Sequence, residues 1–550
     1  MQWRATSPAI GARCVCHNVP SRLPVGEVWT TWFTLENTGS RTWQAPEYQV
    51  SLLLDGNPTI TVELPHAVPP GARVTLYGVF RVTGTAGPHE IAARLTGDTV
   101  TDAGQSSTTA LCVAVELVDR PPTKTARLRD RVLDTHARCW LPCDGMSWSR
   151  DSAVYPNFAK DARGCRIRDV EGREFVDYLM GWGSALLGYA NERILAAIAE
   201  TLHAGAILTL TPQLMPEVAD LLCEMFPSAE AATFGKNGSD VCTAAVRLAR
   251  AHTGRPVILV CGYHGWQDWY VERLGPASTG VPERRDPLVF QFRPNDLGQV
   301  ARLLQEHRGR VAAIMLEPAG VIESFQGPAK DADAAFLHEL IDLAHREGSL
   351  VIFDEILTGF RYSGGSVQHA TGTRPDLTCL GKALSAGMPL SALVGRRDVF
   401  AGALARISYE PTFKGEAYSF AAAREALTIY KEEDIPARIS SIGNRLRDRL
   451  NQVCREHGVR AEVIGPPFRM LLALQEPDAR RRALMRTLIH QELCKLGVLT
   501  AQILLLPSTA HDSAALDATE CAFDRALRTL TDAMDGDRFA SYLEIPPLPA

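Results

Sequence analysis

The sequence predicts an α/β fold built on a large, mostly parallel β-sheet, with an all-β sandwich in front of it. Two observations support this prediction. Residues 1–118 contain short β-rich runs separated by turn residues, without a helical period. From residue 216 to about 395, amphipathic helices alternate with short apolar strands, as they do in a parallel sheet with crossover helices. A chain of 550 residues is long enough for two or three domains.

The predicted sandwich consists of strands over 28–35, 48–54, 59–64, 74–82, 89–95 and 111–117. Turn segments such as Asn37-Thr38-Gly39 separate these strands, and the spacing predicts an antiparallel β-sandwich. The segment FTLENTGSRTW, residues 33–43, resembles immunoglobulin-like modules. That resemblance implies either a module that binds a glycan or another partner, or a rigid appendage that packs on the rest of the chain.

Residues 119–125 form a predicted linker, because Pro121 and Pro122 disfavour both a helix and a strand ladder. A helix is predicted over 126–137 and a hairpin over 164–178. The parallel sheet is predicted from apolar strands over 231–234, 256–261, 288–292, 311–316 and 350–353. Amphipathic helices follow residue 420, with a small α/β segment over 461–506.

Composition excludes several classes of partner. The formal net charge of −6 predicts no basic surface for nucleic acid. No apolar run approaches the ~20 residues that span a bilayer, and the start of the chain lacks the apolar core of a signal peptide. The 13 cysteines are scattered and odd in number, which indicates reduced thiols in the cytoplasm. Cys139 with Cys143, and Cys14 with Cys16, lack a matching second half-site, so no metal is expected.

The stretch over 350–382 carries the strongest chemical signal. A buried strand is followed at once by Asp354, and a second short strand ends in Gly381-Lys382. Strands of an open α/β sheet end over one crevice, so an acid and a lysine at two strand ends would face each other. A lysine that forms a Schiff base and a carboxylate that holds a pyridinium nitrogen are the pair that pyridoxal 5′-phosphate (PLP) requires. Taken alone, the two residues could be ordinary charges at strand ends; their flanking residues favour the cofactor site.

Two further segments fit the same cofactor. Gly238 and Ser239 open a long helical pattern, and the N–H groups at a helix start favour a phosphate. Ser239 or Asp240 could also act as a plain helix cap. Tyr263 follows the strand predicted over 256–261, where its ring could stack on a flat pyridine.

The motifs FDEILTGFR (353–361) and PDLTCLGKALSAGMPLSALVG (375–395) resemble the class III aminotransferases, in particular their glutamate-1-semialdehyde aminomutase-like branch. The resemblance extends from about residue 128 to about 532. It implies a PLP-dependent transferase of fold type I, with a large cofactor domain over about 190–420 and a small domain from about 126–189 and 421–550. It also implies that Lys382 forms the Schiff base with the cofactor and that Asp354 holds the pyridinium nitrogen. The phosphate would lie on Gly238 and Ser239, and Tyr263 would cover the ring.

The resemblance implies further site residues. Glu317 begins the family's E-P motif, but Ile322 stands where the family has a polar residue that contacts the ring hydroxyl, and a one-residue shift would make Glu323 that partner. The substrate pocket is expected to contain Trp182, Ser184 and Glu416. Thr412 matches a threonine that reaches the phosphate of the neighbouring subunit's cofactor, which implies a homodimer with shared active sites.

The implied activity is transfer of an amino group from an amino-acid donor to a ketone or aldehyde, which a carrier or a sugar could bear. An intramolecular 2,1-aminomutase is the alternative, although Gly415-Glu416-Ala417 replaces the G-N-P usual in mutases and favours a transaminase. A third reading is a catalytically weak protein whose β-sandwich is the working part. Arg361 is a candidate for the substrate carboxylate by position only, and a structural ion pair is the simpler expectation.

Overall fold

A computed structural model of the chain describes residues 12–17, 22–24, 28–44, 48–64, 67–81, 86–101, 104–118, 124–125, 127–128, 131, 154–271, 279–282, 286–320 and 333–544. Glu323, Cys139 and Cys143 lie outside the described residues. So do most of the linker predicted over 119–125 and most of the helix predicted over 126–137.

Two β-sheets with a common core precede the larger α/β region. Their strands are β1 (Ala12–His17), β2 (Arg22–Pro24), β3 (Val28–Asn37), β4 (Tyr48–Leu54), β5 (Asn57–Glu63), β6 (Arg73–Arg81), β7 (Gly87–Thr101) and β8 (Gly104–Val118). One sheet has the order β2-β8-β7-β4-β5 and the other the order β1-β3-β6. Apolar side chains of both sheets, including Leu35, Val50 and Leu95, pack in one buried cluster with Trp43. The predicted β-sandwich is confirmed.

Asn37 organises the turn that leads into this core. Its side-chain amide donates to the carbonyl oxygens of Arg41 at 2.7 Å and Val68 at 2.8 Å. Its side-chain oxygen accepts from the N–H of Gly39 at 3.0 Å. The turn therefore delivers Trp43 to the buried position where it forms a bridge with Val68.

The rest of the chain contributes the strands β9 (Ala159–Arg163), β10 (Arg166–Asp169), β11 (Glu174–Asp177), β12 (Ala231–Gly235), β13 (Val257–Cys261), β14 (Val289–Gln291), β15 (Val311–Leu316), β16 (Leu350–Asp354), β17 (Leu377–Leu380), β18 (Ser391–Gly395), β19 (Ala461–Ile464), β20 (Met470–Leu474), β21 (Val498–Leu499) and β22 (Leu504–Leu505). Its helices are Glu192–Leu202, Leu214–Met225, Gly238–Thr253, Asp268–Val271, Leu297–Glu306, Ala334–Arg346, Val367–Thr371, Arg397–Ala403, Ala417–Glu432, Ile435–Glu456, Ala479–Lys495, Ser513–Met534 and Phe539–Tyr542.

A seven-stranded sheet in the order β12-β18-β17-β16-β15-β13-β14 forms the centre of the described α/β region. Strands β13 to β17 run parallel, whereas β18 is antiparallel to both β12 and β17. Every residue of β13, β15, β16 and β17 is buried, as expected for apolar strands covered on both faces by helices. The mixed, mostly parallel sheet with its helices is the α/β architecture that the sequence predicts.

Aspartate side chains begin many of the helices. Five helices in the described part of the chain start behind an aspartate whose carboxylate accepts an N–H of the first turn: Asp296, Asp333, Asp434, Asp478 and Asp512. Such a cap satisfies an N–H that has no partner inside the helix, and the carboxylate also favours the positive end of the helix dipole.

A second core joins distant parts of the sequence. The sheet β21-β11-β10-β9 and the sheet β19-β20-β22 pack with the helices Ile435–Glu456, Ala479–Lys495 and Ser513–Met534. Tyr178, from the early part of the chain, is fully buried in this cluster, and its hydroxyl lies 2.9 Å from that of Thr519. Where the chain is described, no helix combines the length and the apolar character that crossing a membrane would need.

Candidate active site

The carboxyl ends of four neighbouring parallel strands bring the predicted residues to one edge of the sheet. Asp354 is the last residue of β16, and Lys382 comes two residues after β17 ends. Glu317 directly follows β15, and Tyr263 comes two residues after β13 ends. Because parallel strands end at the same edge, residues far apart in sequence line one crevice.

Asp354 is a buried carboxylate held from several sides. Its Oδ2 lies 2.8 Å from Nδ1 of His264, and its Oδ1 accepts the N–H of Ile356 at 3.1 Å. The thiol of Cys242 lies 3.6 Å from the same Oδ2. His264 and Cys242 could not be predicted as partners of Asp354 from the sequence, because contact between three separate segments leaves no local signal.

Lys382 begins a short 3₁₀ turn, Lys382–Ser385, with a positive φ of 46°. A left-handed conformation is unfavourable for a residue with a side chain and often marks a functional position. Burial lowers the pKa of the Lys382 amine; the nearby carboxylates of Glu317 and Asp354 oppose this shift, and the guanidinium groups of Arg469 and Arg361 reinforce it. The lowered pKa agrees with the expectation that this amine must lose its proton readily.

Glu317 and Arg469 form an ion pair beside the lysine. Oε1 of Glu317 lies 3.3 Å from Nη1 of Arg469, and Oε2 accepts the N–H of Tyr263 at 3.2 Å. Nε of Arg469 is buried and has no hydrogen-bond partner among the described residues. Arg469 stands just before β20, in the second core, and nothing in its local sequence indicated a role.

The predicted phosphate segment packs against the loop that follows Asp354. Gly238 and Ser239 are the first two residues of the helix Gly238–Thr253. The carboxylate of Asp240 accepts the N–H groups of Lys236 and Asn237 at 3.1 and 2.8 Å. A Cβ on Gly238 would approach the Ile356 side chain to 2.6 Å, so any larger residue there would displace Ile356. The start of the helix therefore lies against the loop that carries Ile356, directly after Asp354.

Tyr263 is available for stacking. Its side chain is 63% exposed, and its ring packs edge-on against Tyr270 with the centroids 5.9 Å apart. The hydroxyl of Tyr270 donates to the carbonyl oxygen of Gly262 at 2.6 Å, which anchors the loop that carries Tyr263.

Comparisons with known proteins agree with this geometry. The model of a family described as "Aminotransferase class-III" matches residues 147–503. The chain belongs to the class III aminotransferases.

Among curated relatives, the chain is 30% identical over 345 residues to the 3-aminobutyryl-CoA aminotransferase of Cloacimonas acidaminovorans, covering 62% of this chain and 82% of that protein. It is 32% identical over 339 residues to the glutamate-1-semialdehyde 2,1-aminomutase of Clostridium novyi, covering 58% and 75%. Among solved structures, the FumI protein of Sphingopyxis sp. MTA144, described as a PLP internal aldimine form, has a TM-score of 0.68 at 26% identity, covering 75% of this chain and 98% of that one.

The protein is thus a PLP-dependent aminotransferase of fold type I. Its residues fit the cofactor: within the described residues, no lysine or arginine forms an ion pair with the buried carboxylate of Asp354, which contacts His264. That leaves the acid free to pair with a pyridinium. Lys382 would supply the amine, Tyr263 the stacking ring, and the helix start at Gly238 and Ser239 the phosphate contacts.

The predicted pocket residues of this class III aminotransferase lie on two other segments. Trp182 is half-buried, and the Ser184 hydroxyl donates to the carbonyl oxygen of Gly181 at 2.8 Å. Cα atoms of residues 180–183 come within 8 Å of those of residues 382–385, so Trp182 is carried by a turn next to Lys382.

Glu416 is tied to the phosphate segment. One of its oxygens accepts from Nζ of Lys236 at 2.8 Å and from the Ser419 hydroxyl at 2.6 Å. Burial alone would raise the pKa of Glu416, but these two donors hold it below its usual value. Thr412 lies exposed on the turn that precedes Glu416. Roles for Glu416 in the pocket and for Thr412 across an interface stay predictions.

Proposed function

We propose that this protein transfers an amino group from an amino-acid donor to a ketone or aldehyde, with Lys382 as the residue that attaches the cofactor. The observation that carries the proposal is the position of Lys382, which has a lowered pKa, beside Asp354 at one edge of the sheet. When bound, PLP supplies a pyridinium ring that withdraws electrons from the carbon bearing the amino group.

Asp354 would keep that ring protonated. A carboxylate opposite a cation favours the charged form of both groups. His264 and Ile356 fix the two oxygens of Asp354 in place, so the carboxylate is already oriented for the ring nitrogen before the cofactor arrives.

Lys382 would move the proton on the reacting carbon. Only a neutral amine can accept a proton, and burial together with Arg469 and Arg361 favours the neutral amine. Lys382 is partly buried, two residues after β17 ends at the carboxyl edge of the sheet.

Arg469 is the group best placed to bind the donor carboxylate. Its guanidinium is partly buried beside Lys382 and bonds through Nη1 to Glu317 at 3.3 Å. A donor carboxylate could form the two parallel hydrogen bonds that a guanidinium prefers, with Glu317 released. A substrate lacking that carboxylate would leave the Glu317–Arg469 pair intact.

A 2,1-aminomutase is the second candidate, favoured by the similarity to the enzyme of Clostridium novyi. A mutase needs no separate acceptor, because the amino group returns to the same carbon skeleton. The deciding experiment adds single amino donors to the purified holoenzyme and follows the cofactor absorbance. A transaminase converts its cofactor fully to the amino form and releases an oxo product, whereas a mutase releases the isomer of its substrate.

We further propose a homodimer with shared sites. Leu210 is 79% exposed and Phe413 is 56% exposed, and Ile207 and Leu208 are also exposed. The N–H of Ala417 donates to the carbonyl oxygen of Ala206 at 2.8 Å, so both segments belong to one surface. Adjacent exposed apolar side chains of this size favour burial against another protein surface. A second copy of the chain would cover them and bring Thr412 to the partner's site.

The β-sandwich is proposed to serve a bulky acceptor, one linked to a carrier or a sugar, in a biosynthetic reaction. It adds a separate core, packed around Trp43, to the aminotransferase region. Deleting residues 1–118 should slow transfer to such an acceptor and spare the donor half-reaction. If the truncated and full-length proteins transferred the amino group to every acceptor at equal rates, this role would be contradicted. The buried free thiols, such as Cys242 and Cys379, agree with a reducing compartment and the proposed cytoplasmic location.

A further inference from the structure

Residues 180–183 form a left-handed helical turn next to the proposed site. The φ angles of Met180, Gly181, Trp182 and Gly183 are 47°, 57°, 57° and 81°. The N–H of Gly183 donates to the carbonyl oxygen of Leu179 at 2.8 Å. L-residues strongly prefer the right-handed helix, and two of these four are not glycine. Such a turn persists only when the surrounding structure holds it.

Asp177 holds the beginning of the turn. Its buried carboxylate accepts the N–H of Leu179 at 2.7 Å and the N–H of Met180 at 3.0 Å. The hydroxyl of Tyr189 donates to the same side chain at 2.7 Å. Three donors hold this carboxylate in one orientation, so it fixes the backbone conformation at Leu179 and Met180.

Arg361 holds the end of the turn. Its buried guanidinium donates through Nη2 to the carbonyl oxygen of Gly183. Through Nη1 it donates to the carbonyl oxygens of Leu357 at 2.6 Å and Gly359 at 3.2 Å. Within the described residues it has no acidic partner, so the ion pair expected from the sequence is not found and main-chain oxygens take its place. Burial lowers the pKa of Arg361 to about 10, which leaves it charged at neutral pH.

Arg361 therefore connects two parts of the site. Leu357 and Gly359 belong to the loop that follows Asp354, and Gly183 belongs to the turn that carries Trp182. A Cβ on Gly183 would come within 3.2 Å of Nη2 of Arg361 and within 3.0 Å of the Leu357 side chain, which shows how closely the turn is seated. A fixed three-way fork of this kind suits a guanidinium and not an ammonium.

We propose that Arg361 and Asp177 are positioning residues that hold Trp182 in a left-handed turn and thereby set which acceptors the pocket accepts. The kinetic test of this proposal rests on the proposed function, because it measures amino transfer to different acceptors. Arg361 then shapes the pocket and does not bind a substrate carboxylate.

The test compares Arg361→Lys, Trp182→Ala and the double variant in the full-length holoenzyme. Lysine keeps the charge but cannot reach three carbonyl oxygens at once. Arg255→Lys is the matched control, because Arg255 also donates to main-chain oxygens, those of Val311 and Glu347, but at the opposite edge of the sheet. The readout is the ratio of kcat/KM for a small and a bulky acceptor, both drawn from those that the wild type uses.

Arg361→Lys should change this ratio of kcat/KM values by about tenfold or more, because displacing a positioned group lowers reaction rates by factors of that size. It should add nothing further in the Trp182→Ala background, because both changes act through the same side chain. Arg255→Lys should leave the ratio unchanged. Fully additive effects of the two substitutions, or an unchanged ratio in Arg361→Lys, would overturn the proposal.

Amide hydrogen exchange of the enzyme without cofactor supplies a second readout that needs no activity. Exchange in peptides covering residues 179–185 should quicken in Arg361→Lys and not in Arg255→Lys. If Arg361→Lys does not fold, Asp177→Asn replaces it in both measurements with the same expectations. A wild type that converts no amino donor would contradict the proposed function, while the exchange result would still decide whether Arg361 holds the turn.

Discussion

Nδ1 of His264 lies 2.8 Å from Oδ2 of Asp354, and both side chains are buried at the carboxyl edge of the seven-stranded sheet. The contact joins the loop after β13 to the end of β16. Together with the N–H of Ile356, which Oδ1 accepts at 3.1 Å, this contact fixes the orientation of the Asp354 carboxylate before any cofactor binds.

Asp354→Asn should lower kcat by about 10²–10³-fold, the usual loss when a charge that stabilises a transition state is removed. The amide cannot keep the ring nitrogen protonated, whereas the fold should lose little. Rates and thermal unfolding of the holoenzyme check this. Glu355→Gln is the matched control, because it removes a neighbouring buried carboxylate that bonds to Val367 and Gln368 instead. A near wild-type rate in Asp354→Asn would refute the role of the carboxylate.

Lys382→Ala should abolish transfer while the protein still folds and binds some cofactor without a covalent bond. Borohydride treatment followed by mass measurement should link the cofactor to the wild type and not to the variant. Lys236→Ala is the control, since that second lysine is paired with Glu416 and should not affect covalent attachment. A cofactor still linked to Lys382→Ala would show that another residue holds it.

Arg469→Gln should raise the KM for amino-acid donors about 10- to 100-fold, the cost of losing a hydrogen bond to a charged group. It should also move the pH profile of cofactor attachment to higher pH, because the positive charge that lowers the pKa of Lys382 is gone. Arg469→Lys should keep the pH profile and lose most of the affinity. Unchanged KM values in Arg469→Gln would exclude it as the carboxylate site.

The sequence predicted the sheet edge well, because β16 and β17 are short apolar runs that end directly at Asp354 and before Lys382. It could not predict the Glu317–Arg469 pair, whose members are 152 residues apart and meet only when the second core packs on the sheet. Nor could it predict the left-handed turn at Trp182. Local preferences disfavour that conformation, and its contacts with Asp177 and Arg361 come from other parts of the chain.

Stability should fall as pH rises through about 7, because of Glu355. Burial raises the pKa of this carboxyl to about 7, above the value of about 4.3 for an exposed glutamate. Between these values the folded state binds more protons than the unfolded state, so the stabilisation is complete below the lower pKa and is lost above the higher one. The shift in pKa corresponds to a loss of about 3–4 kcal/mol in the free energy of unfolding across this pH range.

Glu355→Gln cannot titrate, so its unfolding free energy should vary less with pH between 4 and 8 than that of the wild type. Urea unfolding at several pH values checks this, with Asp398→Asn as a control for an exposed carboxylate. Parallel pH profiles for the wild type and Glu355→Gln would show that folding does not raise the pKa of Glu355.

Thr412 should complete the active site of a second copy of the chain. The helix start at Gly238 and Ser239 offers N–H groups for only part of the hydrogen bonds that a phosphate dianion accepts. Thr412 lies on an exposed turn next to the exposed ring of Phe413, on the surface proposed to meet the partner. Two-fold symmetry would then create two equivalent shared sites.

Mixed dimers test this directly, with one subunit carrying Lys382→Ala and the other Thr412→Ala. If Thr412 acts in the partner's site, the intact lysine is paired with the intact threonine of the Lys382→Ala subunit, and cofactor affinity at that site should match the wild type. The other site combines both defects. If Thr412 acts within its own subunit, the site with the intact lysine should show the weakened affinity of the Thr412→Ala parent. That result, or an active monomer, would contradict shared sites.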